Sequence, residues 1–177
     1  VMGNKSMIQS RAATTDDRSG IAAAHVASIR GLTQSRYNEE QIAGVRAGRP
    51  EAVSIATKEL IPEAGAEADA AELYRWAHEQ RIAVQHIVYA ATEFDHLLDL
   101  IERGIIPGKR HSVIFPLGRY AADQESDPAE LAPFVAKVRD SGGAARFDWW
   151  VCAFGASETA SLVAAAAMGG HCRIGFE

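Results

Sequence analysis

The sequence predicts an α/β chain in which parallel strands are covered by helices. Three observations lead there. Apolar strand-like runs alternate with helically spaced segments from residue 52 to the end, the runs are apolar almost without interruption, and the connections are short. A strand wet on one face alternates polar and apolar residues, whereas a continuously apolar strand is buried on both faces, as in a parallel sheet under helices. A doubly wound sheet and a piece of an eight-stranded (β/α) barrel both satisfy this pattern.

The elements follow in order. "AVSIA" (52–56) is a short apolar strand. "AEADAAELYRWAHEQR" (66–81) has helical spacing, with Ala70, Leu73, Trp76 and Ala77 on one face. "IAVQHIVYA" (82–90) is strand-like. "TEFDHLLDLIERG" (92–104) reads as a helix opened by a capping-box spacing of Thr92 and Asp95 and closed at Gly104. "HSVIFPLG" (111–118) is the next strand. "SDPAELAPFVAKVRDSGG" (126–143) has a full helix start, with Asp127 as N-cap, Pro128 behind it and Glu130 at the third position; Gly142 and Gly143 stop it. "FDWWVCAFG" (147–155) is a strand, and "SETASLVAAAAMGG" (157–170) is a helix apolar on most sides and therefore expected to be well buried. "HCRIGF" (171–176) is the last strand.

The first 50 residues are open to two readings. "MIQSRAA" (7–13) and "HVASIRGL" (25–32) read as strands, or "DDRSGIAAAHVASIR" (16–30) as one helix; "NEEQIAGVRAG" (38–48) reads as a helix ending before Pro50. "VMGNKS" (1–6) reads as an appended leader, with Met7 as the start of a single domain over 7–177.

Composition excludes several classes. A net charge of −5 provides no basic face for nucleic acid. No apolar run approaches the ~20 residues of a membrane span, and the N-terminus lacks the apolar core of a signal peptide. A cytoplasmic protein is expected, with Cys152 and Cys172 as buried thiols inside apolar runs.

Parallel sheets place their sites at the carboxyl ends of the strands. Ser54, Thr57 and Glu59 follow the first clear strand, Tyr89 ends the next, Gly118, Arg119 and Tyr120 follow "VIFPL", and Ala156, Ser157 and Glu158 follow "CAFG". Ser54, Glu59, Tyr89 and Arg119 are the candidate substrate-binding residues among them. No nucleophile elbow, Walker loop or dinucleotide fingerprint occurs.

The segments "RPEAVSIATKELIP", "IVYAATEF", "GIIPGKRHSVIFPLGRYA", "SDPAELAPFV", "WVCAFGASE" and "GGHCRIGFE" run in order from Arg49 to Glu177. Together they resemble the β-keto acid cleavage enzyme family. The resemblance implies a TIM barrel, with these five strands as the fourth to the eighth. It implies a bound zinc that polarises a β-keto acid, which is cleaved with acetyl-CoA to give acetoacetate or a relative and a new CoA thioester. Glu177 matches the family's carboxylate zinc ligand, and Arg173 matches an arginine four residues earlier, the candidate catalytic residue. With a side-chain period of two, Arg173, Gly175 and Glu177 share a strand face, from which Arg173 reaches a substrate carboxylate. Arg119 and Arg173 together suit an acidic substrate or the phosphates of CoA.

"MIQSRAATTDDRSG" lies on the family's second strand, and Gln9 and Arg11 stand at its two zinc-binding histidine positions. No His-x-His, His-x₃-His or Cys-x₂-Cys spacing occurs anywhere. His171 starts the strand that Glu177 ends, so the two lie ~20 Å apart at ~3.3 Å per residue. His111 also starts its strand, His78 and His96 fall on helices, and His86, mid-strand, and His25 are the remaining candidates. On this alignment the family's first strand and last helix are absent, leaving an incomplete barrel with two open edges, which implies a homo-oligomer. Two alternatives stand beside the enzyme: a non-catalytic barrel fragment that self-associates, and an acetyltransferase-related fusion, since residues 7–44 also resemble the start of a GNAT-type acetyltransferase.

Overall fold

The computed structural model describes residues 50–121 and 123–175, together with Ala43, Gly44, Ala47 and Gly48. The elements expected over 7–13, 16–30 and 25–32 lie outside the described residues, as do Gln9, Arg11, His25 and Glu177. Of the helix expected over 38–48, the four described residues are helical.

From residue 50 onward, the described residues form five strands and five helices that alternate, except that two helices follow the first strand; 3₁₀ turns lie in some of the connections. β1 (Ala52–Ala56) runs directly into the one-turn helix α1 (Thr57–Leu60), followed by α2 (Glu67–Glu79), β2 (Ala83–Ile87) and α3 (Ala91–Glu102). Then come β3 (His111–Leu117), α4 (Leu131–Asp140), β4 (Phe147–Ala153), α5 (Glu158–Ala167) and β5 (His171–Cys172). All neighbouring strands pair in parallel, and their spatial order is their sequence order.

That order decides between the two architectures. In a doubly wound sheet the strand order reverses and helices cover both faces. Here every crossover steps the same way, so the helices collect on one face, as in a barrel wall. The packing agrees. Val53, Ile55, Val113, Phe115, Leu117, Trp149 and Val151 form one core with Leu73, Phe94, Leu97, Leu131, Phe134 and Leu162 of the helices. The opposite face carries a small separate cluster of Ala56, Ile87, Ile114 and Cys152, flanked by Tyr89, Trp150 and Phe154, with no helical residue in it. The fold is α/β with a parallel five-stranded sheet, an open arrangement of TIM-barrel type over the described residues.

Several local expectations need correction. α3 is not opened by Thr92 and Asp95: its N-cap is Ala90, in extended conformation, without a side-chain cap. The helix starts two residues earlier than that spacing implies, and Asp95 pairs instead with Lys137 of α4. The Asp127 carboxylate does accept from the Ala129 amide at 2.8 Å, but Pro128–Glu130 forms a 3₁₀ turn before α4 begins. The last strand is two residues long rather than six; Arg173 adds one more backbone bond, to the Val151 carbonyl at 2.8 Å. α5 is not buried all round. Ser161, Leu162 and Ala165 are buried, whereas Val163 on the helix is 64% exposed and Met168, just past its end, 50% exposed. The thiols also differ: Cys152 is fully buried and Cys172 half-buried. Among the described residues no helix is long and apolar enough to cross a membrane.

Candidate active site

At the carboxyl ends of β1 to β4, charged and aromatic side chains converge. Because β1 passes into α1 without a loop, Lys58 and Glu59 emerge directly from its end. Tyr89 follows β2, and its amide donates to Glu93 Oε2 at 2.9 Å, in the first turn of α3. The other oxygen of Glu93 accepts from Lys58 Nζ at 3.1 Å. Lys58 Nζ also sits 4.4 Å from the centre of the Tyr89 ring and 4.6 Å from that of Tyr120, and the two rings meet edge to face at 4.8 Å. A cation over two ring faces is held by their quadrupoles as well as by its carboxylate partner.

Glu59 lies inside this cluster. Burial raises its carboxyl above the ordinary value, against the opposing effects of the Lys58 cation, a hydrogen bond from Tyr89 and the more distant Arg119. A half-buried carboxyl that holds its proton more readily than usual is suited to giving up or taking a proton. Arg119 stacks its guanidinium 5.6 Å from the Phe154 ring. Glu125 closes the far side: it accepts from the amides of Ala156 at 2.8 Å and Ser157 at 2.7 Å, just before α5. Hydrogen bonds from Ser157 and from these amides hold its carboxyl below the usual range.

Among the expected site residues, the structure brings Glu59, Tyr89 and Arg119 into one neighbourhood. Ser54 stands apart. It does not follow the strand but lies inside β1, donating to Gln85 Oε1 at 3.2 Å, while Gln85 Nε2 donates to Ser112 Oγ at 3.4 Å. These three register-matched residues form a polar row across the helix-free face. Arg173 lies past β5 and reaches the Cys152 sulfur at 3.6 Å. Lys58, Glu93 and Glu125 were not expected in the site. Glu93 was detectable, as an acid in the first turn of a helix that follows a strand; Glu125 contacts residues 31 and 32 positions away and left no local signal.

The described histidines lie elsewhere. His86 points to the helices, 2% exposed, with Nδ1 3.5 Å from the Tyr74 hydroxyl and its ring 6.4 Å from that of His111. The His171 ring lies tilted against Trp150, with ring centres 4.7 Å apart. Among the described residues, no group of three or more His, Cys, Asp or Glu is arranged to hold a metal ion. The described residues therefore do not fit a zinc site by themselves.

Fold and site together define a parallel α/β protein of TIM-barrel type whose polar cluster gathers at the strand ends. The model of the family described as beta-keto acid cleavage enzyme matches residues 9–177, and the chain belongs to that family. No curated protein matches the chain.

Proposed function

We propose that the protein cleaves a β-keto acid with acetyl-CoA as co-substrate, releasing acetoacetate or a relative and a CoA thioester. The observation that supports this reading is the cluster of Glu59, Lys58, Tyr89 and Arg119 at the strand ends. A β-keto acid carries a carboxylate and an acidic carbon between two carbonyls. Arg119 and Arg173 supply planar forks for the carboxylate. Lys58, paired with Glu93, offers a third cation. Glu59 holds or takes the proton that moves as the carbon–carbon bond breaks, and Tyr89 orients it. Zinc is part of this proposal only through Glu177 and donors beyond the described residues, so no step is routed through it. The protein is taken to work in the cytoplasm as a homo-oligomer; the exposed Val163, Met168 and Ile174 are consistent with a covered apolar face, and light scattering tests it.

The test is direct. Purified protein is incubated with a panel of β-keto acids and acetyl-CoA, with and without added zinc, and acetoacetate and new thioesters are measured by mass spectrometry. Product that disappears in Arg173→Ala supports the reading. Absence of product across the panel, with zinc present, rejects it. Stoichiometric zinc that is lost in Glu177→Ala would establish the metal site independently of turnover.

A further inference from the structure

The segment that carries Arg119 and Tyr120 is fastened at both ends. At the start, Gly118 is buried with φ +77°, and a Cβ there would lie 2.6 Å from the Ser126 amide and 2.7 Å from the Glu125 carbonyl carbon. The two ends of the segment thus touch backbone to backbone, which only glycine permits. At the finish, the Ser126 amide donates to the Phe154 carbonyl at 2.9 Å, and the Ser126 hydroxyl meets that of buried Ser161 on α5 at 3.2 Å. Between these ties, the Glu125 carboxylate spans the Ala156 and Ser157 amides. Gly155 has φ +83°, and a Cβ there would fall 2.2 Å from Glu125 Oε2, so the pocket for the carboxylate exists only because residue 155 lacks a side chain.

The consequence reaches the site. Arg119, one residue after Gly118, stacks on Phe154, one residue before Gly155, and Tyr120 packs on Tyr89 and over Lys58. We propose that Glu125 is a positioning residue: by bridging the amides of Ala156 and Ser157 it sets where Arg119 and Tyr120 stand, and so the affinity for the substrate carboxylate. The substrate half of this inference rests on the reading of Arg119 given above; the structural half does not. Both carboxylate oxygens of Glu125 are taken up by the Ala156 and Ser157 amides. It acts through Arg119, so its removal is expected in KM rather than in kcat.

Two readouts test it on the full-length protein. In limited trypsin digestion followed by mass spectrometry, cleavage after Arg119 should rise roughly tenfold in Glu125→Ala, as loss of two charge-assisted hydrogen bonds frees the segment. Cleavage after Lys137, on α4, should stay unchanged and serves as the control for global unfolding. Glu125→Gln, which keeps one accepting oxygen, should fall between. Unchanged cleavage after Arg119 in both variants overturns the proposal, whatever the enzyme does. With a β-keto acid that the wild type turns over, Glu125→Ala should raise KM several-fold with kcat nearly constant, and Glu125→Gln should partly restore it. A fall in kcat with KM unchanged overturns the positioning role. A wild type inactive on every substrate rejects the functional reading alone, and the digestion still decides whether Glu125 holds the segment.

Discussion

Acidification is expected to unfold the protein through the helix-facing side of the sheet, and His86 is the group that makes the effect calculable. Its ring is buried against Tyr74 and His111, and burial, reinforced by His111, lowers its pKa to about 3 from 6.5. The folded state therefore binds this proton more weakly than the unfolded chain does. Stability is fully present above pH 6.5 and falls as the pH drops toward 3, because the unfolded state takes up a proton that the folded state refuses. Between pH 7 and pH 5 the unfolded chain gains nearly all of that proton, roughly one and a half pH units of linkage at about 1.4 kcal/mol each, or about 2 kcal/mol. Burial and the nearby Arg146 cation lower the pKa of His111 as well, so it adds to the loss with the same sign. The assay is urea unfolding at pH 7 and pH 5 for the wild type and for His86→Leu, which fills the site without a titrating group. The variant should lose about 2 kcal/mol less than the wild type across that interval. Equal losses in the two proteins would show that His86 titrates normally in the folded state, and would refute the argument.

Two further outcomes follow from the packing and the site. Gly170→Ala would place a Cβ 2.3 Å from the Trp149 ring, so it should lower stability by about 1–3 kcal/mol in urea unfolding; an unchanged midpoint would mean that the Trp149 ring yields freely. Glu59 should titrate above the ordinary glutamate value in carbon-detected NMR. Lys58→Met should raise it further by removing the cation that opposes burial, and a downward move would contradict the assigned cause.

Most of the architecture was legible because it rests on short-range patterns. The continuous apolar runs around Ile114 and Val151 could only be two-sided strands, and the Asp127–Pro128 start before α4 carries its own chemistry. The choice between sheet and barrel was not legible, since it depends on strand order, which no periodicity records. The capping box at Thr92 failed because the path out of β2, not the local hydrogen-bonding option, set where α3 begins. Within the site, Glu59, Tyr89 and Arg119 were found by counting to strand ends. Ser54 was placed after its strand, but its side chain is spent on Gln85 inside β1. Lys58 owes its position to two tyrosines brought together only by folding, from 31 and 62 residues downstream in the sequence.

The unequal seams of the sheet bear on how it should come apart. β3 and β4 are joined over seven residue pairs, β1 and β2 over five, but β4 and β5 over only two. A strand held by two pairs, beside a helix whose outer side is wet, has little to lose by detaching. Amide hydrogen exchange should accordingly show the slowest protons at Val113 and Val151 and the fastest strand protons at His171 and Cys172. Arg173, which the proposed chemistry needs, then rides on the first part of the sheet to open, so its placement depends on whatever steadies that edge.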